Sequence, residues 1–173
     1  MHIAYTVAPG RGDTDLLLYQ FAQLLERKGL RTCGTVQINS ERVKDGPCDM
    51  DIQILPGRET LRISQELGEG ARGCRLDPVA LETAVARVQH SLTAGADLLI
   101  VNKFGKHEAE GRGFREVIGQ ALAQGVPVLV GLNGLNVAAF NAFSGGLAKE
   151  LPPDAKALEA WVNQALGQTD MVA

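Results

Sequence analysis

Residues 7–14 of the chain read VAPGRGDT and join the apolar run HIAYTV to the amphipathic segment DLLLYQFAQLLERKG. Where a strand leads into a helix in this way, the pattern that binds nucleotide phosphates is Gly, four residues, Gly, Lys, then Ser or Thr. In that register Gly12 and Thr14 fit the pattern, whereas Val7 and Asp13 replace the first Gly and the Lys. The stretch therefore predicts a strand, a loop and a helix with half of a phosphate-binding motif, in which an acid replaces the lysine.

Composition limits the class of protein. A chain of 173 residues with 45% hydrophobic residues suits one globular domain over 1–173. The net charge of -3, without a basic cluster, argues against nucleic acid as a partner. No apolar run approaches the roughly 20 residues that span a bilayer, and the first residues lack the order of a secretion signal. We therefore expect no membrane insertion and a cytoplasmic location.

Hydrophobic periodicity predicts alternating strands and helices. The runs HIAYTVA, ADLLIVN and VPVLVGL are typical of strands buried on both faces of a parallel sheet. Helices are predicted at 14–28, after Asp77 as N-cap, over FREVIGQALAQG, within NVAAFNAFSGG and after Asp154. Alternating patterns at about 31–66 indicate an antiparallel β-hairpin excursion. The predicted fold is α/β, with three layers, a parallel sheet and this hairpin as an insertion.

In such folds ligands bind beyond the carboxyl ends of the strands, where segments 8–14, 102–113 and 133–136 should converge. The glycine loop at a helix N-terminus suits an anion, and cationic side chains follow the second buried strand. The predicted ligand-binding residues are Gly10, Arg11, Gly12, Asp13, Thr14, Asn102, Lys103, Lys106 and Arg112. Secondary candidates are Cys74, Arg75, His107, Glu108 and Asn133.

Several of these residues have a plainer interpretation. The loop is alternatively a simple strand-to-helix turn with Asp13 or Thr14 as N-cap. Cys74 is a ligand or a small packed residue, and Arg75 binds an anion or pairs with an acid. The three cysteines have no CxxC spacing, which argues against a disulfide framework and a zinc ribbon, and no metal site is predicted.

The acid in the loop opposes binding of a nucleotide. Replacing the motif lysine by Asp13 changes the local charge by two units, and a pair of unit charges about 4 Å apart interacts by roughly 4 kcal/mol at an effective dielectric near 20. The strand end that would supply a metal-binding acid reads Asn102 and Lys103 instead. We therefore expect Lys103 to supply positive charge from the opposite side of the pocket.

The segments GADLLIVNKFGKHEAEGRGFREVIGQAL and CDMDIQILPGRETLRISQELGEGARGCRLDPVAL resemble a bacterial family of unknown function whose genes are often found beside molybdate-transport genes. That family is similar to a diverged branch of the P-loop nucleoside triphosphatases with a β-hairpin region after the first helix. In that branch the strand end has an acidic pair, a hydrophobic residue, Gly and then Glu. The aligned residues here are Asn102, Lys103, Phe104, Gly105 and Glu108. The resemblance implies a P-loop-like fold, but the exchanged residues imply loss of hydrolysis.

The leading hypothesis from these observations is a non-hydrolysing, P-loop-like protein that binds molybdate or tungstate and serves its storage or homeostasis. Its expected partners are the small oxyanion, a molybdate-transport component and further copies of itself. One alternative is a nucleotide-binding phosphohydrolase or kinase with relocated catalytic residues, using ATP or GTP with Mg²⁺ held by Asp13. Another is a scaffold that acts through a protein partner, which exposed Phe140 and Phe143 would support.

Overall fold

A computed structural model of the protein describes residues 1–40, 49–68 and 75–167. Its strands form one seven-stranded sheet in the order β4-β3-β2-β5-β6-β1-β7. They are β1 (Ile3–Thr6), β2 (Thr32–Ser40), β3 (Asp49–Leu55), β4 (Thr60–Arg62), β5 (Leu98–Val101), β6 (Val128–Gly131) and β7 (Lys149–Leu151). Strands β2, β5, β6, β1 and β7 run parallel, and β3 and β4 pair antiparallel at one edge.

The helices lie where the periodicity predicts them, with small differences at their ends, except for the short helix at Lys106–Ala109, which was not predicted. They are α1 (Asp13–Arg27), α2 (Pro78–Thr93), α3 (Lys106–Ala109), α4 (Arg115–Ala123), α5 (Val137–Phe143) and α6 (Ala155–Ala165), with a 3-10 turn at Gly134–Asn136. Asp77 caps α2 by accepting hydrogen bonds from the N–H groups of Val79 and Ala80. Asp154 caps α6 in the same way. Within the described ranges, no helix is both long and apolar enough to cross a bilayer.

The segment predicted as a hairpin excursion is continuous with the main sheet. Strand β2 pairs in parallel with β5, through registers such as Cys33 with Leu99, and pairs antiparallel with β3 on its other side. Strands β3 and β4 therefore extend the parallel sheet and do not form a separate layer. The short edge strand β7 was not predicted, because two of its three residues are exposed and charged.

Two apolar layers confirm the predicted three-layer α/β arrangement. Side chains alternate along each buried strand, so Leu99 and Val101 of β5 face one layer and Leu98 and Ile100 face the other. The first layer contains α2, α4 and α5, and the second contains α1 and α6. The sheet therefore lies between two helical layers, with its carboxyl edge beneath the loop at 7–12.

The aromatic side chains of α5 belong to the first layer. Phe140 is fully buried and meets the rings of Tyr5 and Phe104 edge to face, at 5.6 and 5.1 Å between centroids. Phe143 is half-buried against Phe104, with the Arg115 guanidinium 4.7 Å from its ring centre. The exposure of Phe140 and Phe143 that would support a scaffold is therefore not found, since both rings pack against other rings of this layer.

Candidate functional site

The loop between β1 and α1 is held in shape by hydrogen bonds between residues close in sequence. Gly12 adopts the left-handed conformation, with φ of 82°, at the N-cap of α1. The buried Thr14 hydroxyl accepts a hydrogen bond of 2.9 Å from the Ala8 N–H, and the Asp13 N–H donates to the Gly10 carbonyl at 3.2 Å. Thr14 therefore stabilises the loop with its lone pair and keeps its hydroxyl proton for another acceptor.

Asp13 is exposed at the start of α1. A Cβ added at Gly10 would overlap the Asp13 carboxylate, so this carboxylate folds back against the loop. Within the described ranges, no side-chain hydrogen bond or ion pair of Asp13 is present. The helix N-terminus itself favours a negative charge at this place, and Asp13 supplies one to the position where the motif has lysine.

The next acid, Asp15, is the centre of a buried network that sequence reasoning missed. Its side chain is only 6% exposed. One carboxylate oxygen accepts from the Asn102 amide at 2.8 Å, and the other accepts from the Asn39 amide at 2.9 Å and from Lys103 Nζ at 3.3 Å. An acid in the first turn of a helix is ordinarily a partner of the helix dipole, which hides this second role in the sequence.

Two further contacts connect the network to the end of β2. The Asn102 side-chain oxygen accepts from the Gln37 backbone N–H at 2.9 Å. The Gln37 side chain accepts from Lys103 Nζ at 3.3 Å and donates to Asn39 at 2.7 Å. Lys103 is thus held by a carboxylate and a carboxamide while 48% of its side chain is exposed. An ammonium carries three donors, so one remains for a ligand.

A cavity of about 490 Å³ adjoins this network, between the carboxyl end of β2, strand β3 and helix α2. Its basic side chains are those of Arg11, Arg75, Lys103, Lys106 and His107. Its apolar lining is formed by Met50, Ile52, Ile63, Leu76, Leu81 and Phe114. The cavity therefore combines a basic rim beside the loop with an apolar interior.

Other predicted residues have local roles in the structure. Glu108 is buried and accepts from the backbone N–H groups of Gly105 and Phe114, at 2.9 and 3.2 Å, which fixes the turn around α3. Asn133 accepts from the Asn136 N–H and caps the 3-10 turn. Both side chains thus serve backbone geometry near the site.

The remaining cations differ in their surroundings. Arg112 lies on the neighbouring surface between α2 and α4 and donates to Glu110 at 2.5 Å, which holds the pKa of that carboxyl below its ordinary value. Lys106 approaches the same carboxylate at 3.7 Å but also lines the cavity. Arg75 lies 3.5 Å from Asp49. Cys74 lies outside the described residues.

No group of three or more His, Cys, Asp or Glu side chains comes together as a set of metal ligands in the part of the chain that the structure describes. At the end of β5, where an acid would help hold a metal ion, Asn102 and Lys103 stand instead. The network at this strand end is therefore built from amides, the Asp15 carboxylate and the Lys103 ammonium.

The sheet, the loop between β1 and α1, and the polar end of β5 define the fold of the P-loop nucleoside triphosphatases. The solution structure of a human cancer-related nucleoside triphosphatase matches this fold with a TM-score of 0.64, over 98% of this chain and 99% of its own. The two sequences are 19% identical, so the likeness concerns the fold.

The chain belongs to the family described as "Protein of unknown function (DUF2478)", whose model matches residues 3–161. A curated relative is the molybdenum import ATP-binding protein ModC 2 of Bradyrhizobium diazoefficiens, 40% identical over 153 residues. That match covers 86% of this chain and 17% of the relative, so the chain spans about a sixth of the relative's length.

Proposed function

We propose that the protein binds a tetrahedral oxyanion, molybdate or tungstate, between the loop and Lys103, without hydrolysing a nucleotide. The observation that carries the proposal is the position of the Lys103 ammonium, which is anchored by Asp15 and Gln37 at the cavity rim and still half exposed. Arg11 and Lys106 line the same rim and add positive charge. The glycine loop at the start of α1 supplies backbone donors of the kind that bind phosphate-like ions.

The same residues argue against hydrolysis. Asp13 replaces the lysine that neutralises nucleotide phosphates, and Asn102 and Lys103 replace acids at the metal-binding strand end. A chain without these groups can retain recognition of an anion, because recognition requires donors and charge but no metal-activated phosphate. An oxyanion-binding module is therefore the function that this arrangement supports best.

The biological setting of the proposal comes from the relative. Its name describes a molybdenum import ATP-binding protein, and molybdate is a tetrahedral dianion like phosphate. We place the protein in the cytoplasm, where it would buffer, store or sense molybdate beside a transport component. Further copies of the chain are a second expected partner.

Titration calorimetry with molybdate, tungstate, sulfate and phosphate tests the proposal. Lys103→Met should weaken molybdate binding at least tenfold, because the variant removes the cation that Asp15 and Gln37 anchor at the cavity rim while preserving most of the side-chain volume. Lys156→Met is the matched control, since Lys156 is exposed on α6 and does not line the cavity. Absence of binding at millimolar molybdate, or equal losses in the two variants, would contradict the proposal.

Asp13 gives a second test of the same site. Its carboxylate folds against Gly10 and competes with any anion for the loop. Asp13→Asn should therefore strengthen molybdate binding several-fold, and the gain should shrink at high salt because exposed charges are screened. A weaker affinity in Asp13→Asn would contradict this reading of the loop.

A second candidate function, nucleotide hydrolysis, is favoured by the fold shared with a nucleoside triphosphatase and by the Asp13 carboxylate, which faces the loop. In this alternative Asp13 holds Mg²⁺ bound to ATP or GTP. Phosphate release in the presence of Mg²⁺ measures it, and Asp13→Asn should then abolish turnover. Because oxyanion binding predicts a gain in the same variant, one substitution separates the two functions.

A further inference from the structure

We infer that the proposed oxyanion site also takes an organic phosphate, whose phosphate group meets the basic rim in place of the inorganic ion and whose apolar body fills the cavity beside it. The inference rests on the proposed oxyanion site and names the class of its ligand. It is carried by the size of the cavity, its apolar lining and a hydroxyl group of β2 that opens onto it.

The cavity is much larger than an inorganic oxyanion. Its volume of about 490 Å³ falls within the roughly 300–1,000 Å³ typical of pockets for organic ligands. Molybdate has a single central atom and four oxygens, so it would occupy only the rim. The remaining volume is available to a larger group that is joined to the anion.

The lining of that remaining volume selects an apolar group. Met50 and Leu76 are half-buried at the cavity surface, and Ile52, Ile63 and Phe114 are buried behind them. An inorganic dianion that moved into this part of the cavity would lose hydrating water. The apolar side chains offer no hydrogen bonds in return, so binding of the ion there is unfavourable. An apolar body removes the same surface from water and is stabilised in proportion to the area covered.

Thr35 supplies an independent observation. Thr35 and Gln37 lie on the same face of β2, because side chains alternate along a strand, and both line the cavity. Gln37 is satisfied by Lys103 and Asn39. Thr35 is 2% exposed, and its hydroxyl, which makes no hydrogen bond within the described residues, opens onto the cavity. Water satisfies such a hydroxyl in the free protein, so a ligand body that displaces this water is expected to carry a polar atom that reaches Thr35.

The charges at the rim indicate where the phosphate lies. Asp15 offsets part of the charge on Lys103, and Glu110 approaches Lys106 at 3.7 Å. Arg11 is exposed, and within the described ranges it has no ion pair. Arg11 and the free donor of Lys103 are therefore the groups that a phosphate can engage without breaking an existing pair.

Methionine methyl groups report the ligand directly. The chain has three methionines, Met1, Met50 and Met171, and Met50 lines the cavity. In protein labelled with ¹³C at the methionine methyl groups, 1-naphthyl phosphate should shift the Met50 signal, assigned through Met50→Leu. The Met1 signal, from a residue 78% exposed, should stay in place. Inorganic phosphate should leave the Met50 methyl signal unchanged.

Affinities measured by calorimetry complete the test. We expect 1-naphthyl phosphate to bind at least tenfold more tightly than inorganic phosphate, and Met50→Gln to reduce this advantage at least threefold without changing the affinity for inorganic phosphate. Leu135→Gln is the control, because Leu135 is 91% exposed on the 3-10 turn and does not line the cavity.

The outcomes separate the two proposals. If molybdate and phosphate bind but the naphthyl group adds no affinity, or if it binds without shifting the Met50 signal, the organic ligand is overturned and oxyanion binding stands. If none of molybdate, phosphate and 1-naphthyl phosphate binds at millimolar concentration, the proposed oxyanion site fails, and the inference fails with it.

Discussion

At the scale of single residues, the site depends on a buried acid and the amides around it. Asp15 receives hydrogen bonds from Asn102, Asn39 and Lys103, so both of its carboxylate oxygens are satisfied. Asn102 also accepts from the Gln37 N–H with its other end. The amide at position 102 therefore suits this place because it donates to one neighbour and accepts from another, which a carboxylate could not do.

Asn102→Asp tests this arrangement. The substitution keeps the acceptor for Gln37 but places a second carboxylate where the Asn102 amide lies 2.8 Å from Asp15. We expect the free energy of unfolding at pH 7 to fall by roughly 3 kcal/mol, from charge repulsion and a lost hydrogen bond. Because paired carboxylates bind hard cations, millimolar Mg²⁺ should raise the melting temperature of this variant.

The control for that experiment is Asn102→Ala, which loses the same hydrogen bond without adding charge. Its melting temperature should not respond to Mg²⁺ more than that of the unsubstituted protein. Equal rises in melting temperature with Mg²⁺ in the aspartate and alanine variants would show that a second carboxylate at position 102 does not create a Mg²⁺ site, and would contradict the prediction. Thermal melts with Mg²⁺ and with EDTA are sufficient for the measurement.

Cys33 provides a second prediction at this scale. Burial in β2 raises the pKa of the Cys33 thiol to about 12. Since the thiolate is the reactive form, Cys33 should not react with a thiol reagent at pH 8 in the native protein. The measurement uses a Cys48→Ser, Cys74→Ser variant, in which one thiol should appear only after unfolding in guanidinium. Rapid reaction of the folded variant would contradict the buried position of Cys33.

At the scale of elements, strand β2 joins the parallel and antiparallel parts of the sheet. Gly34 lies at this junction, paired with Leu55 of β3 and with Ile100 of β5. Its φ of 115° is unfavourable for other residues, and an added Cβ would collide with the Ile100 carbonyl oxygen. The sheet therefore needs a glycine here to bring its two parts together.

Gly34→Ala should accordingly lower the free energy of unfolding by at least about 3 kcal/mol, from backbone strain and overlap. Gly57 is the matched control, because its φ of 118° is similar and nothing lies within 4 Å of an added Cβ. Gly57→Ala should cost only about 1 kcal/mol, from strain alone. Urea unfolding followed by circular dichroism measures both values, and similar losses would contradict a close approach at Gly34.

The elements also show what the sequence could predict. Continuous apolar runs at β1, β5 and β6 and the caps Asp77 and Asp154 identified most strands and helices. The polar residues at alternate positions 35, 37 and 39 of β2 lie on one face of the strand, and this pattern could have indicated that β2 contributes to the candidate site. Asp15 was hidden, because its partners approach from strands distant along the chain, and the cavity lining comes from separate segments for the same reason.

At the scale of the whole molecule, the starts of β2 and β5 are tied together by a reciprocal contact. The Asp97 carboxylate accepts from the Arg31 backbone N–H at 2.8 Å and from its guanidinium at 3.2 Å. The Asp97 N–H donates to the Arg31 carbonyl at 2.7 Å. These contacts, the backbone hydrogen bond first, hold the pKa of Asp97 below its ordinary value of 3.8.

This shift predicts how stability depends on pH. A carboxyl whose pKa is lower in the folded state contributes stability above its unfolded pKa, and loses it as pH falls through the folded value. Stability should therefore decline below about pH 4, starting near the ordinary value of 3.8. Asp97→Asn should lower the free energy of unfolding at pH 7 by about 1 kcal/mol and flatten that decline. Glu82→Gln, at an exposed position of α2, should leave both unchanged.

Urea melts from pH 7 down to pH 3 provide the measurement. An acid decline that is equally steep in Asp97→Asn and in the unsubstituted protein would assign the pH dependence to other carboxyls. A second contributor is expected to remain in either case, because Arg112 also holds the pKa of Glu110 below its ordinary value.

Lys103, at the end of β5, gives the site a positive charge that is covalently part of the protein. A metal ion exchanges with solvent, and its occupancy follows its concentration, whereas the Lys103 ammonium is part of the chain and is held by Asp15 and Gln37. A chelator leaves that charge in place. A reagent that acylates lysine removes it in a single step, and the positive charge at this position is then lost for the lifetime of the molecule.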